Sequence, residues 1–234
     1  MELLWGRRVR VFDLDGTLVD TLPDLCAALA EAMHELGLQS LPEAVLNGLV
    51  RTSLHGGLQG SVKAVLAEAQ ASQALMQPLL TAYEACYGRR LCERSRPYDG
   101  VPEVLNRLLD QGAPMAVCTN KSARQATEIL EALDLLSSFQ LVVGADTCTH
   151  RKPSHVPLLH AIVQLGGEPL EAVLVGDSEV DRACAEAAGV PLLWHASGYG
   201  ERVDTIDRAN PTVHFMSWPS LLRAPCAHLE HEHG

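Results

Sequence analysis

Two hydrophobic textures alternate along the chain. Short, mainly apolar runs rich in β-branched residues fall at 9–12, 115–118, 140–143, 172–175, 192–195 and, more weakly, 212–215, each leading into polar residues. Such runs read as strands buried on both faces, as in a parallel sheet. Between them, apolar residues recur at helical spacing over 101–110, 122–133, 157–165, 180–188 and 217–223. Strand and helix alternating at this pitch make βαβ units. Right-handed crossovers then predict an α/β fold, a doubly wound parallel sheet.

The alternation breaks once. Residues 20–94 hold no strand-like run, and helical spacing covers 23–36, 42–50, 61–71 and 74–87, with Leu25, Leu29 and Met33 on one stripe. The chain therefore divides into an α/β core of 1–19 and 95–234 and an inserted helical domain of 20–94. The joints are expected at 16–21 and 88–99.

Composition narrows the class. A length of 234 residues suits one domain plus an insert. The net charge of −11 repels nucleic acid and anionic lipid, so neither is expected as a partner, and an anionic substrate needs a local cation. Seven cysteines without a Cys-x-x-Cys pair argue against a disulfide framework and a zinc site, and for a reducing compartment. No apolar run reaches the ~18 residues of a membrane span, and no signal-type segment follows Arg7 and Arg8. A soluble, cytoplasmic protein is expected, as monomer or homodimer. In the tail, His228, His231 and His233 among Glu230 and Glu232 read either as a metal-binding segment or as an unordered terminus.

Four strand ends carry candidate chemistry. The run Val11-Phe12-Asp13-Leu14-Asp15-Gly16-Thr17 ends a strand in two carboxylates one residue apart, then a Gly that permits a sharp turn. Open α/β sheets bind ligands at this end of their strands, although an Asp there also caps turns. Thr119 and Asn120 end the second core strand; they either face a phosphoryl oxygen beside a helix N-terminus or, with Ser122, cap the helix. Lys152 precedes Pro153 after the third and reads as a solvated turn cation or a ligand of the site. Gly176-Asp177-Ser178-Glu179-Val180-Asp181 ends the fourth. Asp181 fits a capping-box relative with Ser178, whereas nothing structural demands Asp177, beside which Gly176 clears space. Together these positions gather three acids and a base on one sheet edge, where hard oxygen ligands suit Mg²⁺.

The order Asp13-x-Asp15-Gly-Thr, Thr119-Asn120, Lys152-Pro, Gly176-Asp177-Ser-x-x-Asp181 resembles the haloacid dehalogenase-like superfamily, and the helical insert resembles its type 1 cap. The text around 12–21, 119–121 and 152–159 is most similar to phosphoglycolate phosphatases. The resemblance implies a Mg²⁺-dependent phosphatase acting on a small phosphorylated metabolite, best matched by 2-phosphoglycolate. It implies Asp13 as nucleophile and Asp15 as general acid and base. Thr119, Asn120 and Lys152 bind phosphate, Asp181 orients Lys152 or a metal-bound water, and Asp13, Asp177 and the backbone carbonyl of Asp15 hold the metal. The chain departs from those phosphatases at His55-Gly56-Gly57 after Arg51, at Ser154-His155 after Lys152-Pro153, and at Asp99 before Gly100. In that family the turn at 55–57 faces the substrate, so these departures bear on substrate choice. Two other readings stay open: a phosphomutase of the β-phosphoglucomutase type, which keeps the acid at Asp15, and a phospho-accepting receiver module, which has neither that acid nor a large insert.

Overall fold

The computed structural model describes residues 2–200 and 212–223. The histidine-bearing tail and Cys226 lie outside the described residues. Six strands, β1 (Val9–Phe12), β4 (Met115–Cys118), β5 (Leu141–Val143), β6 (Ala172–Gly176), β7 (Leu192–His195) and β8 (Thr212–Phe215), form one sheet in the order β5-β4-β1-β6-β7-β8. Every neighbouring pair is parallel. After β1 the chain builds outward through β4 and β5, then returns to pair β6 against the other side of β1. The sheet therefore reverses between β1 and β6, where open α/β sheets leave a crevice beyond the strand ends.

Side chains alternate across this sheet, as the twofold repeat of a strand requires. Phe12, Val117, Val173, Val175 and Leu193 enter one apolar cluster with Val104 and Leu108 of α6 (Val101–Asp110) and Trp218 of α10 (Trp218–Leu222). Val9, Val11, Ala116, Leu174 and Trp194 enter the other, with Leu158 and Ile162 of α8 (Val156–Gln164) and Cys184 of α9 (Glu179–Ala188). Helix α7 (Ala123–Ala132) completes the crossover from β4 to β5. Covering both faces explains why the strands read as mainly apolar runs rather than as an apolar–polar alternation.

The strand-free stretch folds as four helices: α2 (Leu22–Glu35), α3 (Glu43–Ser53), α4 (Gly57–Glu68) and α5 (Met76–Arg89). Leu25, Leu29 and Met33 are buried, and their cluster runs on into that of the sheet face. Three short elements escaped the sequence pattern. Glu2–Trp5 forms a one-turn helix, α1. Val19–Asp20 (β2) and Arg96–Pro97 (β3) pair antiparallel, a two-residue ribbon tying together the chain's way out to the helices and its way back. Segments of two residues carry no periodicity to read. All six described cysteines are free.

Candidate active site

The predicted residues sit at the strand ends or in the segments just beyond them, Lys152 in the loop after β5 and Asp181 in the first turn of α9. The Asp13 N–H still donates to Val175 O across the sheet, at 2.8 Å, so its side chain leaves the ladder at its last rung. Gly16 then turns the chain with φ of +83°, and a Cβ there would lie 2.5 Å from Asp177 Oδ2. Only glycine combines that dihedral with that approach. The turn brings the β1 and β6 acids together, and Thr17 Oγ1 donates to Asp177 Oδ1 at 2.6 Å.

Lys152 is no surface cation. It is 3 % exposed, and its Nζ donates to Asp13 Oδ1 at 2.8 Å and Asp181 Oδ1 at 2.6 Å. Asp181 meets both of its readings with separate oxygens, because Oδ2 accepts from the Ser178 N–H at 3.1 Å and the Ser178 hydroxyl at 2.6 Å, completing a capping box. The space cleared by Gly176 serves Asp181, not Asp177: a Cβ at 176 would sit 2.6 Å from Asp181 Cβ. Ser122 caps α7, which releases Asn120 from that task. Asn120 instead donates from Nδ2 to Lys152 O at 2.9 Å, joining the two loops, and Thr119 accepts from the Lys121 N–H. Asp15 turns elsewhere, to Thr21 Oγ1 at 2.5 Å and Lys121 Nζ at 3.2 Å.

Oxygens of Asp13, Asp177 and Asp181 lie within 4.8 Å of one another, all buried. Burial and then Asp181 push the Asp177 carboxyl up to about 7. Burial, followed by Asp181, also raises Asp13 well above the carboxylate range, although Lys152 pulls the other way. Burial alone would lower the Lys152 ammonium, but Asp13 and Asp181 outweigh it and hold it charged. Once all three carboxylates are ionised, one ammonium leaves two negative charges without a counterion. A divalent cation with a taste for hard oxygen fits that deficit, and Asp13 and Asp177 are the acids with lone pairs left to give it. The Asp15 carboxylate does not belong to the cluster.

A cleft of about 980 Å³ opens over these groups, lined on the sheet side by Asp13, Asp15, Thr119, Lys152 and Asp177 and on the helical side by Arg51, Leu58, Glu84 and Tyr87. Arg51 Nη2 donates to Gly198 O at 2.6 Å. Lys121 Nζ donates to Tyr87 Oη at 2.9 Å. The cations of Arg51 and Lys121 thus span the two layers. Nothing is described of the His55 side chain, and Lys63 is not among the residues lining the cleft.

Sequence reasoning assigned no role to Lys121, Thr17, Thr21 or Tyr199. Lys121 stood beside Thr119-Asn120 at a strand end, which was a usable signal. Tyr199, between two glycines after β7, offered a weaker one: its N–H donates to Asp177 Oδ2 at 2.7 Å.

A family model of haloacid dehalogenase-like hydrolases matches residues 10–195. A phosphoglycolate phosphatase from Thiobacillus denitrificans is 37% identical over 202 residues, 84% of this chain and 87% of that protein. Another, from Caulobacter vibrioides, is 38% identical over 212 residues, 89% of this chain and 87% of that protein. The crystal structure of a predicted phosphoglycolate phosphatase from Haemophilus somnus superposes with a TM-score of 0.80 at 28% identity, covering 92% of this chain and 96% of that one. Strand order, strand-end acids and these similarities converge: this chain belongs to the haloacid dehalogenase-like hydrolases.

Proposed function

We propose that the protein is a Mg²⁺-dependent phosphatase of a small phosphomonoester, 2-phosphoglycolate above others, working through an aspartyl-phosphate with residues 20–94 as its cap. The observation that carries this reading is Lys152 Nζ, buried and held between Asp13 Oδ1 and Asp181 Oδ1 beside Asp177. One ammonium among three acids makes a place where a phosphoryl group and a carboxylate nucleophile can meet. In water, a carboxylate facing a phosphate dianion at ~4 Å costs ~2 kcal/mol, and several-fold more in a dry cleft.

In this mechanism Asp13 attacks phosphorus in line, and its bond to phosphorus forms as the bond to the leaving oxygen breaks. Asp15 gives a proton to that oxygen, then takes one from the water that cleaves the acyl phosphate. Lys152 and the Thr119 hydroxyl steady the equatorial oxygens, while Asn120 fixes the Lys152 loop and Asp181 aims its ammonium. Mg²⁺ held by Asp13 and Asp177, when bound, offsets the charge that substrate and nucleophile bring together. The cap excludes bulk water from the acyl phosphate. Among the described residues no helix is long and apolar enough to cross a membrane, in keeping with a cytoplasmic metabolite as substrate.

Phosphate release from a panel of small esters, with and without Mg²⁺, tests the reading. Release that requires Mg²⁺ and is fastest on 2-phosphoglycolate is expected. Interconversion of sugar phosphates with little release would replace it with a mutase, and a stable phosphoprotein without turnover would end it.

A further inference from the structure

The loop after β7 touches Asp177, the Gly16 turn, the start of α2 and Arg51 of α3. Gly198 and Gly200 press against Asp177, where a Cβ at 198 would lie 2.3 Å from Asp177 Cβ and one at 200 only 2.1 Å from Asp177 O. Tyr199 between them gives its N–H to Asp177 Oδ2 and lays its ring against the Gly16 turn. Its hydroxyl lies among the joints to the inserted helices. It accepts from the Thr21 N–H at 2.7 Å and the Leu22 N–H at 2.9 Å, and donates to Asp20 Oδ1 at 2.6 Å.

Helix α2 explains why a tyrosine is needed there. Thr21 is its N-cap residue, yet the Thr21 side chain makes no capping bond. Its hydroxyl goes to Asp15 instead. The first N–H groups of a helix have no partner within it, and a lost cap costs about 1 kcal/mol. Tyr199 supplies, from the far end of the chain, an acceptor for the Thr21 and Leu22 N–H groups, the second of which it shares with Asp20 Oδ1 at 3.3 Å. The same loop also receives Arg51 of α3 at Gly198 O.

We propose that Tyr199 is the latch of the cap hinge: its hydroxyl caps α2 from the core, ties the outgoing joint to the Asp177 loop and favours the seated position of the inserted helices over Asp13 and Asp15. It is a positioning residue and touches no reacting atom. The inference rests on residues 20–94 acting as a cap, and its first test needs no substrate. Tyr199→Phe keeps the ring on Gly16 and the N–H on Asp177 while removing the hydroxyl.

Hydrogen exchange of the folded variant is expected to speed at Thr21 and Leu22 by about tenfold, the fold-change of a lost cap of ordinary strength. Small-angle scattering of the same sample is expected to show a larger radius of gyration. In turnover, a seated cap that is populated less raises KM by about tenfold and spares kcat, because substrate must first draw the cap shut. A merely structural loosening of Asp177 would lower kcat with KM unchanged.

Asp20→Ala leaves the ring in place, frees the hydroxyl's proton and removes the second acceptor of the Leu22 N–H, so it is read at Thr21, where the same pattern at smaller amplitude is expected, and it decides the matter if Tyr199→Phe does not fold. Wild-type exchange at Thr21 and Leu22, or an unchanged KM, overturns the latch. If the wild type releases phosphate from no ester, the proposed function fails, and the exchange and scattering arms still decide whether Tyr199 holds the hinge.

Discussion

The Lys152 ammonium and the Asp181 carboxylate form an ion pair at 2.6 Å from which solvent is excluded, since neither side chain is more than 2 % exposed. Breaking a buried pair from one side leaves a charge without its partner. Asp181→Ala also removes the Ser178 capping box, so a loss of about 3–5 kcal/mol is expected in urea unfolding. Asp181→Asn keeps an oxygen for Ser178 and should lose less stability, while turnover falls about 10- to 100-fold because Lys152 is aimed less firmly. Equal instability of the two variants would show that the ion pair, which both lose, and not the capping box, sets the value of Asp181.

For Asp13 the expectations for activity and stability run in opposite directions. The fold raises its carboxyl above the ordinary range, chiefly by burial, so the charged form is a burden on the folded state. Asp13→Asn removes that burden with almost no change of shape. Phosphate release should vanish while the melting temperature at neutral pH stays level or rises, as at other sites where function opposes stability. A melting temperature that falls by several degrees would mean that the Lys152–Asp13 bond stabilises more than the burial of Asp13 costs.

The core strands were legible because they are buried on both sides, and their ends were legible because four polar clusters interrupt otherwise apolar text. Asp13, Asp177 and Lys152 could be placed on one edge by topology alone, since parallel strands point their carboxyl ends the same way. The ribbon of β2 and β3 was not legible, as two residues show no period. The roles of Thr21 and Tyr199 were hidden for another reason. Thr21 looks like an ordinary N-cap, and only the Asp15 side chain 2.5 Å away diverts its hydroxyl. That contact depends on how the turn after Gly16 packs, which residue types do not reveal. Lys152 looked like any turn cation until the fold buried it between two acids.

The raised Asp177 carboxyl gives a pH test whose sign is fixed. Burial, then Asp181, moves it up to about 7. The folded state therefore holds this proton more tightly than the unfolded chain, where a carboxyl titrates near ~4. Between those values the unfolded chain binds fewer protons, so the contribution to stability present at low pH is lost as pH rises from about 4 to about 7. Asp13 moves the same way. Without divalent metal, this contribution should lower the melting temperature over that window. A metal ion competes with those protons, so added Mg²⁺ should raise the melting temperature more at about pH 8 than at about pH 6. Scanning fluorimetry across the range checks both, and a larger Mg²⁺ effect at the acid end would remove Asp177 from the metal site.

Lys121 offers the last test, because it joins Asp15, the proposed proton-transfer residue, to Tyr87 of the inserted helices. Its side chain is 6 % exposed, 3.2 Å from Asp15 Oδ1 and 2.9 Å from Tyr87 Oη on α5. Burial would strip its proton, but Asp15 and Tyr87 together outweigh burial and keep it charged. On the other side, burial pushes the Tyr87 hydroxyl up to about 12 against the pull of Lys121, so Tyr87 stays neutral and accepts. Lys121→Met keeps the length and volume of the stem and removes only the charge. Asp15 then loses its cation and the cap loses a tie to the core, so kcat should fall and KM rise, together lowering kcat/KM about 100-fold. Tyr87→Phe cuts only the cap end of this connection, and should raise KM while leaving kcat within about twofold. If both variants change kcat alone, Lys121 serves Asp15 without coupling it to the cap. If both change KM alone, the ion pair with Asp15 plays no part in proton transfer.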